Sequence, residues 1–237
     1  KENKELALRK ENPLLSKNYN ETMLGQMFIV GIDGEVLTEE ERKLLEDSKI
    51  GGVILLSKNI DNEEQLYNLT KEINKTATIS GIKPFVSVDQ EGGVVSRIPF
   101  IENTAQKDIE DSFDALSVSV KRSKALKELG INVNYAPVIE RVGDKESFSY
   151  RQGRSFTNQD YLLAETMING CLEVGILCSA KHFPGGLSRT STDPHKKLPT
   201  LQLFKGEIGE DLQRFREVIV SGAEAIMVTH IYYPEIG

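Results

Sequence analysis

The sequence is short of cysteine, of long apolar runs and of surplus positive charge, and each shortage closes off a class of protein. Its only cysteines, Cys171 and Cys178, cannot build a disulfide framework, and no Cys-x-x-Cys or Cys/His spacing marks a zinc site. Both are expected to be buried thiols. The longest apolar stretches, such as Gly51 to Leu56 and Ala223 to Val228, fall far short of the ~18 residues of a membrane-spanning helix. Lys and Arg number 29 against 36 Asp and Glu, a net charge of -7, so no broad basic field gathers the phosphates of a nucleic acid or an anionic membrane. A neutral substrate fits this balance better. What is present, 39% hydrophobic and 27% charged residues in 237, is ordinary for a globular chain and argues against disorder.

The segment 1–22 is mostly charged or polar, contains Pro13 and lacks a long hydrophobic face, so it reads as a tether or a frayed helical extension ahead of a barrel domain spanning 23–237 that is expected to be C-terminally incomplete. The first residue is Lys1 rather than a methionine, which fits a processed or trimmed chain. From Met23 onward, short apolar runs alternate with amphipathic stretches. Strands are predicted at Gln26–Gly31, Gly52–Leu56, Phe85–Asp89, Ile131–Ala136, Ile176–Lys181 and Glu224–His230. Thr38 precedes Glu41 in a capping-box arrangement, and Gly130 closes a helix over Ala115 to Leu129. Such alternation argues for βαβ units and a parallel sheet.

An open doubly wound sheet and a (β/α)8 TIM-type barrel compete for this pattern. No Gly-x-Gly-x-x-Gly turn follows the first strand, which removes the main sign of a dinucleotide-binding sheet. Polar residues instead follow several different strands: Asp89, Glu140, Lys181 with His182, and His230. In a barrel these meet on the C-terminal face, where such folds keep their active sites. The barrel is therefore favoured, present as about six of eight βα units, since six strands alone leave open edges.

Three segments can carry chemistry. Lys181 to His195 holds two of the three histidines in a loop rich in Gly, Ser, Thr and Pro, where Asp193 can turn onto His195 and set its tautomer. The plainer alternative is a solvated turn capped by Asp193 before Pro194. Val88 to Arg97 ends a strand in Asp89 and enters a double-glycine turn. Asp89 can accept from two adjacent sugar hydroxyls and Arg97 can return to the same pocket, or the pair can be a surface ion pair on a tight turn. Gly153-Arg154-Ser155-Phe156 offers a guanidinium fork to a substrate oxygen or to a surface carboxylate. No His-x-x-x-His or His-Glu-x-x-His spacing marks a metal site, and no cofactor is expected.

Together these segments resemble glycoside hydrolase family 3, in its branch of bacterial β-N-acetylglucosaminidases. The resemblance is carried by Asp89-Gln90-Glu91-Gly92-Gly93 with Arg97, Asn132 to Pro137, Gly153 to Phe156, Lys181-His182-Phe183-Pro184-Gly185, and Asp193-Pro194-His195 followed by Leu198-Pro199. It implies a (β/α)8 barrel that removes terminal, non-reducing β-linked N-acetylglucosamine with retention, from an N-acetylglucosamine-containing saccharide or muropeptide of cell-wall turnover. It further implies that Asp193 and His195 act as an acid/base pair in place of the usual second carboxylate. Asp89, Arg97, Arg154, Lys181 and His182 match positions that bind sugar hydroxyls.

Two departures accompany the resemblance. Gly186-Leu187-Ser188 follow Gly185 where the family has His-Gly and an acid, with one extra residue before Asp193. The family's aspartate nucleophile, which follows the seventh strand, has no match here, so the 237 residues alone are expected to be inactive. A non-catalytic sugar-binding relative is the alternative reading, and a β-glucosidase of the same family a further one. An exported or lipid-anchored, extracytoplasmic location is expected, with the cytoplasm as alternative.

Overall fold

The structure is a computed structural model that describes residues 24–79, 81–140, 144–157, 161–202 and 207–235. The expected tether at 1–22 lies outside the described residues. Two compact units divide within one strand, between Ser87 and Val88. Among the described residues, strands and helices succeed one another as in a (β/α)8 barrel.

In the first unit, β1 (Ile29–Gly31) pairs in parallel with β2 (Gly52–Leu55), and β3 (Phe85–Val88) lies beside β2. Helix α1 (Glu39–Asp47) begins at the expected capping box: Glu41 N–H donates to Thr38 Oγ1 at 3.2 Å, and Thr38 N–H donates to Glu41 Oε2 at 2.8 Å. Helix α2 (Glu63–Ala77) is capped by Asn62 and buries Leu66, Leu69, Ile73 and Ala77, the i, i+3, i+4 stripe of an amphipathic helix.

The second unit carries the chemistry-bearing segments. A hairpin of β4 (Gln90–Gly92) and β5 (Val95–Ser96) follows β3 directly, before helix α3 (Ser112–Glu128). Strand β6 (Val133–Asn134) leads through the short helix α4 (Phe148–Arg151) to helix α5 (Leu162–Val174). Then come β7 (Leu177–Phe183), helix α6 (Glu207–Val220) and β8 (Ala225–Val228). The Tyr135 N–H donates to Val88 O at 2.9 Å, β6 pairs in parallel with β7, and β7 with β8. Ile109, Ile139, Phe156, Leu163, Met167, Phe215 and Val218 form the apolar core beneath these strands.

One expectation is corrected here. Cys171 and Cys178 are buried, but they are joined to each other in a disulfide rather than standing as thiols. Helix α5 ends at Gly175 in the left-handed conformation, and the chain turns straight into β7, which brings the two Cα atoms within 6.1 Å. The bridge fastens the end of α5 to the strand that carries Lys181 and His182.

Candidate active site

The ends of β3, β6 and β7 deliver the ionisable side chains of the second unit to one place. Asp89 follows β3 and Glu91 sits two residues on, in β4; Glu140 follows the bridge between Val138 and Lys181; Lys181 and His182 lie in β7. The pairing of β7 with β8 shifts register between Lys181 and Phe183. Such an irregularity re-aims side chains, here allowing successive residues to serve one site.

The β4–β5 hairpin is built to hold its acids still. Gln90 donates its N–H to Asn134 Oδ1 at 3.0 Å, and its side-chain carbonyl accepts from the N–H groups of Arg97 and Ile98. Gly92 has φ +92°, and a Cβ there would lie 2.0 Å from Thr104 O and 2.8 Å from Arg122 Nη2. Only glycine fits that turn. Arg122, fully buried, donates to Glu91 O, Thr104 O and Glu102, so the hairpin is clamped from behind.

At the centre stands a chain of alternating charges. Lys181 Nζ lies 2.8 Å from Asp89 Oδ1 and 2.6 Å from Glu91 Oε1. Arg154 holds both Glu91 oxygens at 2.8 Å in a bidentate fork. Arg97 Nη2 approaches Asp89 Oδ2 at 4.0 Å, while its buried Nε has no acceptor among the described residues. Arg154 Nη2 lies 3.4 Å from His182 Nε2, and His182 Nδ1 lies 2.9 Å from Glu140 Oε1. A guanidinium can only donate, so Nε2 accepts and Nδ1 carries the hydrogen that reaches Glu140. Glu140 Oε2 accepts in turn from Ser188 N–H at 3.1 Å. Burial pushes the His182 imidazole below its usual value, against the pull of Glu140 and aided by Lys181 and Arg154.

The Asp193/His195 segment lies one aromatic ring away. His195 Nδ1 is 2.8 Å from Asp193 Oδ1, which also accepts His195 N–H at 2.9 Å. The Asp193 carboxyl is held below its usual value, first by that backbone N–H and then by the imidazole. The Phe148 ring stands between the two groups, 6.5 Å from the His195 ring and 5.9 Å from the Arg154 guanidinium carbon. Helix α4 also staples the loop: Phe148 N–H donates to Thr190 O at 2.7 Å and Arg151 to Ser191 O at 3.0 Å. The Tyr233 hydroxyl donates to Gly185 O, and Arg189 pairs with the buried Asp211 at 3.0 Å, fixing the turn from which the loop departs.

All five residues read from the sequence as sugar contacts, Asp89, Arg97, Arg154, Lys181 and His182, are therefore gathered together. Arg154 takes a buried carboxylate rather than the surface one considered as its alternative, and Asp193 is both a turn cap and the partner of His195. His230, which also follows a strand, is exposed and stands outside the network. Sequence reasoning placed Glu140 on the C-terminal face without assigning it a task, and gave no role to Glu91 or Phe148. For Glu91 a signal existed, since residues two apart along an extended segment share a face, which puts Glu91 beside Asp89.

Glu91 makes the cluster sensitive to acid. Burial alone would raise its carboxyl, but the Lys181 charge and the Arg154 fork overcome that and hold it at about 2, against 4.5 in an open chain. A depressed carboxyl stabilises the fold fully above its unfolded value and loses that contribution as pH falls from about 4.5 toward 2. The loss is on the order of 3 kcal/mol. Urea unfolding as a function of pH checks this: Glu91→Gln is expected to flatten the acid limb while lowering stability at neutral pH.

Comparison with known proteins identifies the family. Residues 20–237 match the model of the glycosyl hydrolase family 3 N terminal domain. A beta-hexosaminidase of Psychromonas ingrahamii is 30% identical over 87% of this chain and 64% of its own length. Beta-hexosaminidase A of Pseudoalteromonas piscicida is 31% identical over 84% of this chain and 36% of its own length. The crystal structure of NagZ from Neisseria gonorrhoeae in complex with N-trifluoroacetyl-D-glucosamine superposes with a TM-score of 0.78 at 30% identity, covering 88% of this chain and 64% of that one. The chain thus spans less than two thirds of the length of each of these relatives.

Proposed function

We propose, on the premise that this chain belongs to glycosyl hydrolase family 3, that it forms the larger part of the catalytic barrel of a retaining exo-glycosidase that removes terminal β-linked N-acetylglucosamine. The observation that carries the reading is the convergence of Asp89, Lys181 and His182 at strand ends with Arg154 from the loop after α4, and an Asp193/His195 pair one ring away. The beta-hexosaminidase names of its relatives and the glucosamine derivative bound to NagZ point to the same sugar.

In this reading Asp89 accepts from adjacent sugar hydroxyls, and Arg97, whose Nη2 lies 4.0 Å from Asp89 Oδ2, donates into the same space. Lys181 keeps the Asp89 carboxylate in place by lying against it. The buried Glu91 positions Lys181 and Arg154, and Glu140 positions His182; neither needs to touch the sugar. Asp193 accepts from His195 Nδ1, which leaves Nε2 to deliver a proton to the leaving oxygen and afterwards to take one from the attacking water. The covalent step needs a carboxylate on the opposite side of the anomeric carbon. The resemblance to the family implies an aspartate for that task, and no residue of this sequence matches it, so the 237 residues alone are expected to turn over nothing.

Muropeptides are the proposed natural source of the sugar. The Cys171–Cys178 disulfide supports an oxidising, extracytoplasmic location, because such bonds persist there and are rare in reducing compartments. The test is a substrate comparison with the full-length protein. An aryl N-acetyl-β-glucosaminide is expected to be cleaved about 10²-fold or more faster than the matching β-glucoside. Equal rates would favour a β-glucosidase of the family, and saturable binding without cleavage a sugar-binding relative.

A further inference from the structure

Glu140 has one task in the glycosidase reading, to position His182, and that task uses only one of its two oxygens. The strands set the side chain in place. Ile139 N–H donates to Lys181 O at 2.9 Å and Lys181 N–H to Pro137 O at 3.1 Å, which lays Glu140 alongside His182. Oε1 accepts from His182 Nδ1 at 2.9 Å, and Oε2, turned the other way, accepts from Ser188 N–H at 3.1 Å. The whole side chain is buried, so these two donors are its company rather than water.

Ser188 belongs to the base of the loop that leads to Asp193 and His195, in the stretch Gly186-Leu187-Ser188 where this sequence departs from the family. That base is tightly built. Gly186 has φ +112°, and a Cβ there would overlap the Tyr233 hydroxyl, so only glycine lets the tyrosine come so close. Leu187 packs with Ile231 and Tyr233, and Arg189 pairs with the buried Asp211. Just beyond, Thr190 O and Ser191 O are held by Phe148 N–H and the Arg151 side chain. With 187–191 fastened as one piece, a displacement at the Ser188 N–H carries over to the segment of Asp193 and His195.

Resting on the glycosidase reading for the tasks of His182 and His195, we infer that Glu140 is a positioning residue that couples the two halves of the site. One buried carboxylate fixes the imidazole that meets the sugar and, through the Ser188 N–H, the base of the loop that presents the acid/base imidazole. The chemistry of the group makes this separable from mere filling of space. A carboxylate accepts on both oxygens, whereas a carboxamide accepts on one side and donates from the other. In Glu140→Gln the remaining oxygen can therefore face only one of the two donors. If it stays on Ser188, the amide NH2 faces His182 Nδ1, which must give up its hydrogen, and a hydrogen moved to Nε2 meets the Arg154 donor 3.4 Å away. If it turns to His182, the NH2 faces the Ser188 N–H and the loop base is released.

Two spectroscopic readouts on the full-length protein test the coupling without depending on turnover. Imidazole nitrogen shifts report which His182 nitrogen carries the hydrogen, and amide exchange reports whether the Ser188 N–H is held. The wild type is expected to keep the hydrogen on Nδ1 and a protected Ser188 amide, with saturating N-acetylglucosamine slowing that exchange by about fivefold or more. In Glu140→Gln either the hydrogen moves to Nε2 or Ser188 exchange rises by about tenfold or more, and the effect of the sugar on Ser188 is lost. The kinetic loss is expected to follow the spectroscopic one: a moved hydrogen raises KM, and a released loop lowers kcat on poor leaving groups more than on activated aryl ones. Hydrogen on Nε2 in the wild type, sugar binding that leaves Ser188 exchange unchanged, or a glutamine variant with both readouts unaltered would overturn the coupling. Failure of N-acetylglucosamine to bind would overturn the glycosidase reading instead, with the His182 and Ser188 readouts of Glu140→Gln still deciding the coupling.

Discussion

His195→Ala is expected to lower the turnover of substrates with poor leaving groups by about 10²- to 10⁴-fold, and to leave activated aryl substrates much less affected. The asymmetry follows from the task assigned to the imidazole. A poor leaving oxygen must be protonated as its bond to the anomeric carbon breaks, whereas a nitrophenolate departs unaided. Asp193 Oδ1, 2.8 Å from His195 Nδ1, orients the ring without touching the substrate, so Asp193→Ala is expected to show the same pattern more mildly. The His195 side chain is 69% exposed and its loop is held through its own carbonyls by the Phe148 N–H and the Arg151 side chain of α4, so the alanine variant is expected to keep its thermal midpoint. Equal losses on both kinds of substrate would remove His195 from the acid/base role.

Lys181→Met is expected to abolish sugar binding and to destabilise the fold by about 3–5 kcal/mol. The ammonium is 2% exposed and sits between Asp89 at 2.8 Å and Glu91 at 2.6 Å. Removing it leaves Glu91 with the Arg154 fork alone and frees Asp89 to move. Because the penalty is mostly that of an under-compensated buried carboxylate, Lys181→Met/Glu91→Gln is expected to be more stable than the sum of the two single losses. Urea unfolding of the four proteins measures that coupling. Strict additivity would mean that Lys181 and Glu91 act independently, contrary to their contact. Binding is not expected to recover in the double variant, since Asp89 still lacks the cation that holds it.

The strands are legible as short apolar runs between amphipathic stretches, and three of them end in a charged or polar residue, Asp89, Lys181 or His230. Their limits were less so. β1 starts at Ile29 rather than Gln26, because Met27 and Phe28 N–H groups are spent in a turn on Leu24 and Gly25 carbonyls. β6 is reduced to Val133–Asn134, since Ile131 N–H still closes the preceding helix on Leu126 O. Asp89, Lys181 and His182 could be found as strand-end residues. The meaning of Glu91 could not, because its partners Arg154 and Lys181 are distant in sequence and only tertiary folding shows a buried pair rather than a polar turn. The same holds for the disulfide, which depends on how α5 turns into β7. It holds too for Phe148, whose place between Arg154 and His195 is set by α4 and no motif contains it.

The most direct test is a structure of the full-length protein with N-acetylglucosamine bound. The sugar hydroxyls are expected on Asp89, Arg97, Arg154, Lys181 and His182, with His195 Nε2 facing the anomeric oxygen. A sugar bound away from Asp89 and Lys181, or with its anomeric carbon turned away from His195, would contradict the assignment of this cluster as the glycosidase site.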